Sequence, residues 1–167
     1  KQKLALSCAL IHKPSILFLD EPTTGVDAVS RKEFWEMLKR LKQEGITILV
    51  STPYMDEAAQ CDRIALMQDG AFMHIAAPAQ TAALFGMDLF AVLSGRFYEL
   101  LQDLRNLSLC KNVYPFGQYY HVVATPGSLH SIDLLQYLQQ LGHTDAEVHL
   151  ATPTVEDVFM YLMNPSA

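Results

Sequence analysis

Nowhere in its 167 residues does the chain carry a G-x-x-x-x-G-K-[ST] stretch, so it holds no loop whose backbone N–H groups would cradle β- and γ-phosphates. Cysteine is scarce: Cys8, Cys61 and Cys110 are odd in number and widely spaced, which suggests neither a disulfide framework nor a zinc site. Reduced thiols of the cytosolic kind are the expectation. No apolar run approaches the roughly 18 residues of a membrane span, and no secretory signal is visible at Lys1-Gln2-Lys3. Basic residues are outnumbered 12 to 18 by acidic ones, and the net charge of −6 offers no footprint for nucleic acid. His12, His74, His121, His130, His143 and His149 lack the close pairing that metal ligands use.

Apolar residues make up 50% of the chain, enough for one large or two small domains. The most informative stretch is Ile16-Leu17-Phe18-Leu19-Asp20-Glu21-Pro22, an apolar run that stops on two adjacent carboxylates, with Thr23-Thr24-Gly25-Val26-Asp27 following. Such a strand points its first carboxylate beyond the carboxyl edge of a sheet, where open α/β sheets bind ligands. Taken alone, the acidic pair also fits a solvated strand end; its neighbours decide. Lys1 to Ile11 is helical, with Leu4, Ser7, Cys8 and Ile11 on one face, and His12-Lys13-Pro14 stops it. Ser30 and Glu33 have capping-box spacing and open a helix whose apolar positions are Phe34, Met37, Leu38 and Leu41, with Gly45 at its end. Ile46 to Val50 then reads as a second apolar strand, suited to a parallel sheet buried on both faces.

With these elements in place the chain resembles the C-terminal half of an ATP-binding cassette (ABC) ATPase, of the ABC-2-like kind that pairs with export-type membrane subunits. Ile16 to Glu21 is similar to its Walker B strand, Thr24-Gly25-Val26-Asp27 to its D-loop, and Ile48-Leu49-Val50-Ser51-Thr52 to the strand entering its switch loop. Tyr54-Met55-Asp56-Glu57-Ala58 and Cys61-Asp62-Arg63-Ile64 resemble the segment immediately C-terminal to that loop. Lys1 to Leu6 resembles the stretch immediately C-terminal to the Leu-Ser-Gly-Gly signature, which is itself missing. The match runs to about Ala76.

The resemblance implies that Asp20 holds Mg²⁺ through water, that Glu21 polarises the attacking water, and that Asp27 belongs to the dimer contact joining two nucleotide sites. It further implies ATP and Mg²⁺ as ligands of the intact protein, and transmembrane permease subunits and a second nucleotide-binding domain as partners. The expected location is cytoplasmic, peripheral on the inner face of the cell membrane. Without phosphate loop and signature, the carboxylates lack the N–H groups that would bring phosphate to them, so this chain alone is expected neither to bind ATP appreciably nor to hydrolyse it.

One position departs from the family. Where a histidine ordinarily comes after Ser-Thr and reaches the γ-phosphate, this chain has Pro53, which has no N–H and no side-chain donor. Losing one preorganised donor costs about 3 kcal/mol, on the order of 10² to 10³ in turnover. Locally, Thr52 can cap the next helix with Pro53 in its first turn, where a missing N–H costs nothing. Two functions stay open: an energy-coupling ATPase subunit of an exporter, and a degenerate, non-hydrolytic cassette acting as an interaction or regulatory module. A cassette of DNA maintenance is weaker, because neither coiled-coil heptads nor a basic stripe is present.

Asp69-Gly70 between Ile64–Met67 and Phe72–Ile75 signals a hairpin, and Ala77-Pro78-Ala79 then breaks the pattern. The boundary is placed there: 1–77 as a partial ABC nucleotide-binding domain, 78–167 as an accessory α+β domain. In the second part Thr81–Phe85, Phe97–Leu107 and Ser131–Leu141 read as helices, and Leu89–Leu93, a segment starting at Val113, Tyr119–Ala124 and Val148–Ala151 as strands. The order β-α-β-β-α-β is that of a ferredoxin-like unit. Pro153-Thr154-Val155-Glu156-Asp157-Val158-Phe159 resembles the closing segment of an accessory domain found in some export-type cassettes; Thr154 with Asp157 is expected to cap a last helix packed through Val155, Val158, Phe159 and Leu162.

Overall fold

The computed structural model describes residues 2–163, so Lys1, where the first helix was expected to begin, and 164–167 lie outside the described residues. It is a mixed α/β structure with parallel and antiparallel strands in small sheets, divided into two compact units that meet between Gln60 and Cys61.

The first unit runs α1 (Gln2–Leu10), β1 (Ile16–Asp20), α2 (Ala28–Gln43), β2 (Thr47–Ser51) and α3 (Met55–Ala58). β1 and β2 pair in parallel, with Phe18 opposite Leu49 and Asp20 opposite Ser51. The sixteen-residue α2 is the crossover a parallel pair requires. It buries Phe34, Trp35 and Leu38, and ends as Gly45 N–H bonds Lys42 O at 2.9 Å and Ile46 N–H bonds Leu41 O at 3.2 Å. Gly45 takes φ 90°, which costs a residue without Cβ little.

Two expectations fail here. The sheet is not buried on both faces: Leu17 is buried, while Ile16, Phe18 and Leu49 share the opposite face and are 51%, 72% and 61% exposed. No element of this first unit lies over that face. The cap of α2 is Asp27, not Ser30: its carboxylate accepts from Ser30 N–H at 2.9 Å, and the helix starts nearly a turn earlier. The helix expected at the start of the chain is present as α1; Leu4, Ser7 and Cys8, and Ile11 just beyond it, are exposed, and Leu6 is buried.

The second unit opens with an antiparallel hairpin, β3 (Ile64–Gln68) and β4 (Ala71–Ala76), whose turn places Asp69 at φ 49° and Gly70 at φ 78°. Two successive positive φ values are what a two-residue hairpin turn needs. α4 (Pro78–Ala83) begins earlier than expected because Pro78 takes its first position, where the missing N–H would have no helical partner. Next come β5 (Asp88–Leu93), α5 (Phe97–Asn106), β6 (Cys110–Phe116), β7 (Tyr119–Ala124), α6 (Ser131–Gln140), β8 (Glu147–Leu150) and α7 (Val155–Met163). The four strands form one antiparallel sheet in the order β6-β7-β5-β8. Pro115 is tolerated because β6 lies at the edge, where one side of the backbone needs no ladder partner.

Both faces of this sheet are covered. Phe90, Val92, Tyr120 and Val122 pack against Leu100 and Leu104 of α5 and Leu134 and Leu138 of α6 in one buried cluster. On the opposite face lie Leu89, His121, Val123 and Tyr114, all buried, with Asp157 of α7 bonded to two of them. α7 also meets the segment after α4, where Phe85 and Tyr161 pack edge to face with centroids 5.6 Å apart. No helix among the described residues is long and apolar enough to cross a membrane.

Candidate functional site

The parallel register brings the two strand ends together. Ser51 Oγ donates a short hydrogen bond to Asp20 Oδ1 and accepts from Glu21 N–H at 3.0 Å. Glu21 N–H also points to Ser51 O at 3.1 Å. Asp20 and Glu21 are both exposed. Glu21 takes φ 41°, a left-handed conformation unusual for a side chain with a Cβ, and Thr24 Oγ1 donates to its Oε2 at 3.0 Å. The chain therefore turns at once after Asp20, and the two neighbouring carboxylates leave the strand in different surroundings.

Asp27 stands at the far end of this turn, exposed, its carboxyl held below the ordinary carboxylate value by the N–H of Ser30 and then by the Ser30 hydroxyl. Pro53 is exposed just beyond β2. It is not in the first turn of α3, whose cap is Tyr54; Thr52 Oγ1 instead accepts from Tyr54 N–H at 3.1 Å and closes a small turn around the proline. The proline is accommodated by that turn rather than by a helix cap.

The donor set suits a hard, hydrated cation. One exposed carboxylate beside a hydroxyl leaves room for the waters that Mg²⁺ keeps. Residues that would hold a triphosphate are another matter: neither a phosphate loop nor the signature is in the chain.

Reading the residues in order missed the arrangement beneath this surface. Glu57, on α3, is 1% exposed, and its Oε2 accepts from Thr23 Oγ1 at 2.9 Å and Thr52 Oγ1 at 2.7 Å. Arg31 of α2 brings its Nε within 3.5 Å of Glu57 Oε1, donates to Asp56 Oδ2 at 3.0 Å and lies 4.6 Å from the centre of the Tyr54 ring. In the sequence Asp56 and Glu57 are an ordinary acidic pair. Only the fold buries one and exposes the other.

The second unit has two polar clusters of its own. Asp157 is fully buried; its Oδ1 faces His121 Nδ1 at 2.6 Å and accepts from Tyr114 OH at 2.8 Å, while its Oδ2 accepts from Thr154 N–H and Oγ1, each at 2.7 Å. The expected Thr154–Asp157 cap is present, but the same carboxylate also anchors α7 to the sheet. Burial pushes its pKa up, and the hydrogen bonds from His121, Thr154 and Tyr114 together outweigh that and hold it below 3.8. Burial, with the Asp157 charge second, drives the Tyr114 phenol far up. In the other cluster Ser94 Oγ lies 3.0 Å from His143 Nδ1, and His143 Nε2 lies 2.9 Å from Asp103 Oδ2. This has the composition of a hydrolytic triad without its chemistry, because Ser94 is buried and its hydroxyl proton is given to Asp145 at 2.9 Å.

No family model matches the chain. Over 165 residues, 97% of this chain and 46% of the relative, it is 34% identical to the Nod factor export ATP-binding protein I of Sinorhizobium fredii. Over 164 residues, 97% of this chain and 52% of the relative, it is 29% identical to the daunorubicin resistance ATP-binding protein DrrA3 of Streptomyces coeruleorubidus. A 70-residue stretch, 42% of this chain and 12% of the relative, is 54% identical to YbhF of Escherichia coli, a probable multidrug ABC transporter ATP-binding protein. The chain thus spans about half the length of the first two relatives and a smaller part of the third. It belongs to the ATP-binding proteins of ABC transporters.

Proposed function

We propose that the chain is the later part of the ATP-binding, energy-coupling subunit of an ABC exporter, with one wall of a nucleotide site at Asp20 and Glu21. The observation that carries this is the parallel pairing of β1 with β2, which sets Asp20 against Ser51 and leaves both carboxylates exposed at the strand ends. Asp20 would hold Mg²⁺ through water, and Glu21 would orient and polarise the attacking water. Bound Mg²⁺ supplies charge neutralisation at the phosphate oxygens, which is most of what phosphoryl transfer asks of its site. Asp27 would join the dimer contact. The remainder of the cassette, with the phosphate loop and the signature, would cover the bare face of Ile16, Phe18 and Leu49. ATP, Mg²⁺, transmembrane permease subunits and a second nucleotide-binding domain are the ligands and partners of the whole protein in this reading, at the cytoplasmic face of the membrane.

The division by role falls at 77/78, and the second part is an accessory ferredoxin-like domain; the strand order β6-β7-β5-β8 and the succession from β5 to β8 support that assignment. The second reading, a degenerate cassette that binds a partner without turning over, is favoured by Pro53 alone. The two are separated in the intact protein that carries this chain. Pro53→His should raise ATP turnover several-fold by supplying a preorganised donor. An unchanged rate counts against a site limited by the proline.

A further inference from the structure

Glu57 holds the chain on both sides of the proposed site. Thr23 lies two residues after Glu21, in the turn leaving β1, and Thr52 lies between Ser51 and Pro53, where the chain leaves β2. One carboxylate oxygen accepts from both hydroxyls, at 2.9 and 2.7 Å, across 34 and 5 residues of sequence. A buried carboxylate is costly unless donors and a counter-charge surround it. Here two hydroxyls and the Arg31 guanidinium do so, and Arg31 is held in turn by Asp56 and the face of Tyr54. Thr52 is committed twice, donating to Glu57 and accepting from Tyr54 N–H. The backbone bond from Glu21 N–H to Ser51 O joins the same two segments at the surface.

We propose that Glu57 is a positioning residue: by holding Thr23 and Thr52 on one oxygen, it makes the turn after Glu21 and the turn around Pro53 move as a single piece. The consequence for chemistry rests on the proposed roles of Asp20 and Glu21; the mechanical coupling does not. In a nucleotide site the first turn would carry the water-orienting group and the second the switch position, so their relative placement sets turnover rather than affinity.

The test is a set of variants in the intact protein that carries this chain, read by amide hydrogen exchange and by steady-state ATP turnover. Thr23→Val keeps the side-chain shape and removes one donor. It should speed exchange about tenfold at 51–55, and Thr52→Val should do the same at 21–26, each across the gap that Glu57 bridges. Glu57→Ala should speed both segments and leave 61–163 unchanged, whereas Glu57→Gln, whose amide oxygen still accepts, should recover most of the protection. In turnover, Glu57→Ala and Thr23→Val should lower kcat about tenfold with KM within twofold. The coupling is overturned if each threonine variant affects only its own segment, or if Glu57→Ala speeds exchange throughout 61–163, which marks a role in general stability. Glu21→Gln separates the two ideas: turnover unchanged in that variant removes the catalytic reading of the site, while the exchange results still decide the role of Glu57.

Discussion

Ile16, Phe18 and Leu49 line one face of the β1–β2 pair and stand open to solvent, while in the β6-β7-β5-β8 sheet Phe90, Val92 and Val122 on one face and Leu89 and Val123 on the other are all buried. The strands of both units read alike, as short apolar and β-branched runs. They differ in what the chain supplies to cover them. The second unit places α5 and α6 on one side of its sheet and α7 on the other, so apolar side chains on both faces of its central strands are buried. In the first unit α2 buries Phe34, Trp35 and Leu38 behind the sheet, and none of that unit's own elements lies in front. Each unit also hides one carboxylate. Glu57 is held by hydroxyls and a guanidinium, and Asp157 by an imidazole, a phenol, a hydroxyl and a backbone N–H.

The sharpest way to break the contrast is amide exchange on the chain itself. Strands β1 and β2 should exchange on the order of a hundredfold faster than β5 and β7, since half of the first sheet's apolar surface contributes nothing to its burial. Equal protection would mean that the bare face costs nothing. Next in size is Leu134→Ala, which opens a cavity in a fully buried cluster and should lower stability by about 2–5 kcal/mol. Trp35 is the single tryptophan and lies buried in the first unit, so its fluorescence should follow urea unfolding there unchanged, while circular dichroism shows the loss. A shift of the Trp35 transition by the same amount would show that the units unfold as one.

Asp157→Asn should cost about 2 kcal/mol at pH 7, because the acceptor of several charge-assisted bonds becomes a weaker neutral one. The pH dependence has a definite sign. The folded carboxyl lies below its ordinary 3.8, so its contribution is complete above that value and is lost as pH falls through the folded one. Urea midpoints measured from about pH 5 to pH 2 should therefore fall more steeply for the native chain than for the variant, and parallel curves would remove Asp157 from the account. The smallest effect is expected of Phe18→Ser, within about 0.5 kcal/mol, since that ring is already in water in this chain. A loss of several kcal/mol would show the face to be covered.

Much of the local structure was legible because it is set by neighbours in sequence. Gly45 and the Asp69-Gly70 pair end and turn the chain as their residue types require, and the leucine spacing of α5 and α6 names the side that is buried. The candidate carboxylates were legible too, since an apolar run stopped by Asp20 and Glu21 is a pattern along one strand. The features that escaped need two distant segments. The cap of α2 is the exception, since Asp27 binds the N–H of Ser30 only three residues on. The burial of Glu57 depends on hydroxyls 34 and 5 residues away, and the attachment of α7 on Tyr114 and His121, 43 and 36 residues upstream of Asp157.

By itself the sequence determined the kinds of element, their order, the acids at the end of the first strand and the proline just beyond the second, all of them readable from short-range pattern along the chain. Tertiary structure alone decided which apolar surfaces found partners and which of two adjacent acids became a buried tie. Burial and hydrogen-bond satisfaction belong to pairs of segments, and no property of one segment contains them.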